Sequence, residues 1–126
     1  MAELEATVRR MMTAFDQKDW DTIRTLTTED AQGVDEVSRR WLRGAKEIDA
    51  YYAELSPLMG AISSELNDVH ELDWGDTGLV TCWLEQDYEF DGRQQHVSSP
   101  TTVVLRKAED QWQIALMHTI PLPEEE

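Results

Sequence analysis

The side chains able to move protons in this chain are few and widely spaced. His118 closes the apolar run "WQIALMHTI", just ahead of Pro121 and Pro123. An imidazole there titrates near neutral pH and serves as a general base once a carboxylate or carbonyl fixes its tautomer. Glu85 follows Trp83 at strand spacing in "TGLVTCWLEQDYEF". On a concave face its carboxyl would be partly desolvated, with a raised pKa suited to acid–base work. Tyr51, in "AKEIDAYYAELSPLM", offers a phenol that can point into a cavity. Glu85, His118 and Tyr51 are therefore the candidate catalytic groups, and their chemistry is proton transfer without a cofactor. Trp41, Tyr52, Trp83, Val103, Leu116 and Thr119 are the candidate ligand-binding residues.

Each candidate has a plainer counterpart. Regular alternation puts His118 on one face with Trp112, Ile114 and Leu116, and Thr119 on the other. The histidine then belongs to packing or to a subunit interface while Thr119 faces the pocket, unless a bulge shifts the register. Glu85 also reads as a solvated carboxylate, because "EQDYEFDG" is polar and runs into a turn; Asp87 and Glu89 are read that way. Tyrosines on a covering helix are often amphipathic filler. Core packing accounts for most of the five tryptophans as well as a flat apolar ligand does.

Other chemistries find less support. His70, His96 and His118 lie in three separate predicted strands, with no HxH or HExxH spacing, so no metal site is assigned. "DWGDTG" reads as a tight turn rather than a phosphate loop. "SSP" at residues 98–100 lacks the strand-to-helix elbow of a serine nucleophile, and Pro100 marks a bulge or an edge. Cys82 stands alone and cannot form an internal disulfide; it reads as a buried, inert thiol. Acidic residues number 26 against 11 basic ones, a formal charge of -15. That balance disfavours nucleic acid and anionic lipid as partners and favours neutral or cationic ligands. "MAELEATVRR" lacks a signal-peptide pattern and no apolar run approaches ~20 residues, so a cytoplasmic protein is expected.

The elements that must hold these groups follow from periodicity. At 126 residues, one domain with its own core is expected. Leu4, Val8, Met11, Met12 and Phe15 form one stripe of an amphipathic helix. Asp19 reads as the N-cap of a short second helix burying Trp20, Ile23 and Leu26. "TTEDAQGVDEV" breaks the helical pattern and holds a short strand or a loop. Ile48, Tyr51, Tyr52, Leu55 and Met59 predict a third helix, bent or stopped near Pro57 and ended by Gly60. From Ala61 the period becomes two, giving four predicted strands joined at "GD", "DGR" and "AED". The chain thus reads as about 60 helical residues, an antiparallel sheet to residue 120, and a short tail. This is an α+β fold, with N-terminal helices packed on a curved antiparallel sheet. Leu79 and Trp83 alternate with Val80, Cys82 and Leu84, so both faces of the sheet need covering, and a homodimer is the expected cover.

The order and spacing of four stretches carry a family resemblance over nearly the whole chain. They are "AFDQKDWDTIRTL", "WLRGAKEIDAYY", "DVHELDWGDTGLV" and "WQIALMHTIPLP". Together they resemble the nuclear transport factor 2-like superfamily, with its cystatin-like fold, and within it SnoaL-like proteins and the association domain of calcium/calmodulin-dependent kinase II. The resemblance implies a cone-shaped α+β barrel with a pocket open at one end, usually in a dimer. Its members include isomerases, dehydratases, epoxide hydrolases, polyketide cyclases and structural oligomerisation domains, and the fold does not choose among them. The final strand of similar proteins often carries a histidine near the position of His118. The pocket arginines of the association domains align with Glu85, Val103 and Thr119, so an anion pocket is not implied. The tyrosine and paired aspartates of ketosteroid isomerase have no match in the motifs, nor has the Asp-Arg-Asp set of limonene-type epoxide hydrolase. Two functions remain open. One is a small-molecule pocket protein, as an enzyme a cofactor-free isomerase, dehydratase, cyclase or hydrolase, with a mostly apolar ligand; the other is a non-catalytic dimerisation or assembly module.

Overall fold

A computed structural model describes residues 3–122. Helix α1 (Glu3–Asp16) buries Leu4, Val8, Met11 and Met12 on the stripe that its spacing predicts. Glu3 and Glu5 occupy its first turn, where negative charge suits the helix dipole. Helix α2 (Trp20–Thr25) is capped by Asp19, whose carboxylate accepts the Thr22 amide (3.2 Å) and hydroxyl (2.7 Å). Strand β1 (Thr27–Asp35) and the two-residue β2 (Leu42–Arg43) come next, followed by helix α3 (Ala45–Leu55). Gly44 precedes α3 at a φ of 85°, a conformation glycine adopts without a Cβ penalty. A 3-10 turn holding Pro57 ends α3, and β3 begins at Met59.

Strands β3 (Met59–Asp73), β4 (Thr77–Phe90), β5 (Arg93–Ala108) and β6 (Gln111–Thr119) form a meander. The β4–β5 turn, Asp91 and Gly92, has positive φ at both residues, as does the β5–β6 turn, Glu109 and Asp110. Such two-residue turns match the twist of the flanking strands. The sheet order is β2-β1-β6-β5-β4-β3, curved and open, with the helices on one face. The α+β class and the arrangement of helices on a curved sheet are those expected. One refinement concerns the first half of the chain: β1 and β2 join the sheet, and β1 pairs with β6 in parallel. In "TTEDAQGVD" only Ala31 is buried, so no period-two signal survives in the sequence.

The inner face carries two apolar clusters. Under α1, Val80, Leu84, Val103, Leu105 and Ile114 pack on Leu4, Val8, Met11 and Met12. Under α3, Leu42, Tyr51, Leu55, Met59, Ile62 and Tyr88 form the second. Cys82 is a buried free thiol in the first. Pairing of β5 with β6 stops at Thr101, which leaves Pro100 at a local edge.

The register of β6 decides which residues face inward. Val104 pairs with Leu116 and Leu105 with Ile114, so Ala115 is an extra, bulged residue. Trp112 and Ile114 face the core before the bulge, and Met117 and Thr119 line the interior after it. His118 is therefore separated from Trp112 and Ile114. It points outward and is exposed, stacked 6.0 Å from the Trp41 ring.

Candidate functional site

Asp35 is the last residue of β1, and its carboxylate turns the chain. Oδ1 accepts the Val37 amide at 3.0 Å and the Ser38 amide at 2.7 Å, an Asx turn. The same carboxylate accepts the Tyr51 hydroxyl from α3, at 2.9 Å to Oδ1 and 3.1 Å to Oδ2. Glu36 follows, and its Oε1 accepts the Tyr88 hydroxyl from β4 at 3.1 Å. Two phenol–carboxyl pairs thus tie the end of β1 to α3 and to the central sheet.

These pairs line a cavity of about 90 Å3 lying between the two apolar clusters. Its wall is mostly apolar, with Met11, Met12, Phe15, Leu55, Ile114 and Met117 among the contributors. Gln86, Tyr52 and Thr119 add polar atoms. Gln86 is buried and donates to Ser64 Oγ at 3.0 Å; that hydroxyl donates to Asp16 at 2.6 Å. The chain of bonds anchors the cavity wall to the end of α1. Thr119 is paired with the Thr101 hydroxyl at 2.9 Å.

Burial sets the protonation of this wall. It pushes the Glu36 carboxyl above the usual carboxylate range, and the neighbouring Asp35 charge adds to the shift. The Tyr88 bond and the Glu36 backbone N–H oppose it without cancelling it. Burial, then the Asp35 charge, raises the Tyr51 and Tyr52 phenols; burial, then Glu36, raises Tyr88. The phenols therefore stay protonated, with Tyr51 donating to Asp35 and Tyr88 to Glu36, while Glu36 holds a proton to higher pH than an exposed glutamate. Such a set can exchange a proton with a bound molecule in a water-poor site.

Of the residues singled out in the sequence, Tyr51, Tyr52 and Thr119 come together on the cavity wall. Tyr52 also stacks on Trp20, with centroids 4.7 Å apart. The others do not join them. Val103 faces inward but is sealed beneath α1 among core side chains. Glu85 alternates with Leu84 and Gln86, which line the cavity, so it stands on the outer face with Trp83; its buried Oε2 has no hydrogen-bond partner. Leu116 and His118 occupy the outer face for the same reason of alternation. Trp41 is 41% exposed beside His118, with the Arg43 guanidinium 5.8 Å above its ring. The expectation that Glu85 and His118 share a hollow with Tyr51 is thus not met by the geometry.

Asp35, Glu36, Gln86 and Tyr88 also line the cavity, and none of them is singled out in the sequence analysis. Their signal was present in part: Leu84, Gln86 and Tyr88 alternate on the apolar face of β4, where a glutamine is out of place. Among the described residues, no three His, Cys, Asp or Glu side chains are grouped to hold a metal ion. No described helix is long and apolar enough to cross a membrane.

The family profile of the SnoaL-like domain matches residues 4–120. The chain belongs to the SnoaL-like family. No curated protein sequence matches this SnoaL-like domain significantly. Among solved structures, it is similar to a putative dehydratase of the nuclear transport factor 2-like family from Streptomyces avermitilis. The TM-score is 0.86 at 22% identity, over 97% of this chain and 96% of that one. It is also similar to a ketosteroid isomerase-like protein from Erwinia carotovora atroseptica, with a TM-score of 0.83 at 21% identity, over 98% and 96% of the two chains. The calcium/calmodulin-dependent kinase II hub homology domain of Chlamydomonas reinhardtii has a TM-score of 0.79 at 18% identity, over 97% and 98%. At these identities the likeness shows the shared fold of the SnoaL-like domain and not its activity.

Proposed function

We propose that this SnoaL-like domain encloses a small, mostly apolar ligand and exchanges a proton with it, with no cofactor. The observation that carries this reading is the pairing of Glu36 with Tyr88, and of Asp35 with Tyr51, on the wall of an otherwise apolar cavity. Glu36 is the acid–base group and Tyr88 orients it. Tyr51 is the phenol nearest Asp35, and Tyr52, Gln86 and Thr119 complete the polar lining. Isomerisation, dehydration, cyclisation and hydrolysis can each be run by such an acid–base pair.

Ligand-dependent thermal stabilisation tests the pocket, because a molecule that binds only the folded state raises its Tm. Small alcohols, ketones and amines of about four to six heavy atoms are the panel. Stabilisation in the natural chain that disappears in Met117→Trp, which fills the hollow, is the expected result. Equal stabilisation in both chains, or none across the panel, overturns the reading.

The outer face of the sheet favours a second role, dimerisation. Trp83 is 37% exposed there, and four residues along β4 half-buried Leu79 pairs with Val104, which pairs with Leu116. The likeness to kinase hub domains supports an assembly module that works with or without turnover. A homodimer formed through this face would cover these side chains.

A further inference from the structure

The polar wall of the cavity carries charge of one sign. Asp35 and Glu36 stand side by side on it, while the described lining contains no lysine, arginine or histidine. Asp35 is well compensated by two backbone amides and the Tyr51 phenol. Glu36 receives only the Tyr88 phenol and its own backbone N–H. A half-buried carboxyl next to a second carboxylate is costly unless a cation meets it. Aromatic rings stand close by. Phe15, Tyr51 and Tyr52 line the same hollow, with Tyr52 centroids 6.2 Å and 5.6 Å from the other two. Ring faces attract an ammonium group and tolerate its alkyl part.

Given the pocket reading above, on which this rests, we infer that the ligand is a small amine bound as its ammonium, with nitrogen on Glu36 and carbon among Met11, Leu55 and Met117. A carboxylate ligand would bring a third negative group to a wall without a cation. An alcohol could hydrogen-bond to Glu36 but brings no positive charge to favour its ionised form. Size narrows the class further. A cavity of about 150 Å3 holds benzene, so the 90 Å3 here takes a smaller skeleton unless the ligand reaches into the mouth.

Isobutylamine, isobutanol and isobutyrate, which share a branched skeleton and differ in charge, separate the alternatives. Each is titrated into the full chain at neutral pH and about 0.15 M salt, followed by methyl NMR of the cavity methionines. Glu36→Gln keeps the shape and removes the charge. Glu85→Gln, on the outer face, controls for general attraction of cations to a chain of formal charge -15. The expected result is an amine Kd at least tenfold below that of the alcohol, with isobutyrate not binding. Glu36→Gln should bring the amine within about twofold of the alcohol, and Glu85→Gln should leave the preference intact. Retained isobutanol affinity in Glu36→Gln shows that the variant is folded; if it does not fold, Glu36→Ala takes its place with the same readout. An amine no tighter than the alcohol, an equally bound isobutyrate, or a preference that survives loss of Glu36 overturns the inference alone. Silence from all three ligands overturns the pocket reading as well.

Discussion

Glu36 is the residue whose burial opposes its charge, and stability should register the conflict. Its folded pKa lies above the ordinary value, near 4.3 for glutamate. Below that value both folded and unfolded chains hold the proton, and the site contributes nothing. As pH rises past it, the unfolded chain ionises first, binds fewer protons than the folded one, and stability falls until the folded pKa is passed. The groups facing Glu36 are Asp35, Tyr51 and Tyr88, and the phenols stay protonated over this range. Urea unfolding from pH 4 upward should therefore show Glu36→Gln gaining on the natural chain as pH rises. A gap that narrows with pH would contradict the assigned shift.

At the scale of elements, α1 packs closely against β4 at Gly78. A Cβ added at Gly78 would lie 2.5 Å from Leu4 Cδ2 and 2.8 Å from its Cδ1. Leu4 is only 2% exposed and packed within the core cluster. Gly78→Ala should cost about 1–3 kcal/mol of unfolding free energy, as overpacked cores do. A loss below ~0.5 kcal/mol would mean that α1 rides more loosely on the sheet. The bulge at Ala115 acts at the same scale. It brings Met117 and Thr119 to the cavity and sends His118 to the outer face. Strict alternation through "WQIALMHTI" would have placed Trp112, Ile114, Leu116 and His118 together. One inserted residue thus decided which face of the sheet His118 occupies.

For the whole molecule, the decisive surface is the back of the sheet. If a second copy covers it, Trp83 sits centrally and Trp83→Glu should weaken the dimer at least thirtyfold, as loss of a tryptophan anchor does. Sedimentation measures this directly, and circular dichroism should be unchanged because Trp83 is 37% exposed. A monomeric natural chain, or a variant that dimerises equally well, would remove the sheet face from consideration. Like charges oppose association at a formal charge of -15 per chain, so added salt should tighten a dimer held by apolar contact.

The sequence by itself determined the elements whose periods are strong. The stripe of α1, the Asp19 cap, the arrest of α3 near Pro57 and the alternation of β4 each follow from local physics: apolar spacing, one side-chain acceptor, one missing N–H. Tertiary structure alone decided the site. Asp35 and Glu36 lie in a polar stretch without periodicity, and Tyr88 reaches Glu36 across 52 positions of chain. No local pattern encodes that meeting, because it depends on β1 pairing in parallel with β6 and on α3 folding over both clusters. Burial, and hence the proton affinity of Glu36, comes from the same packing: a carboxyl acquires its chemistry from neighbours that the chain brings to it only when folded.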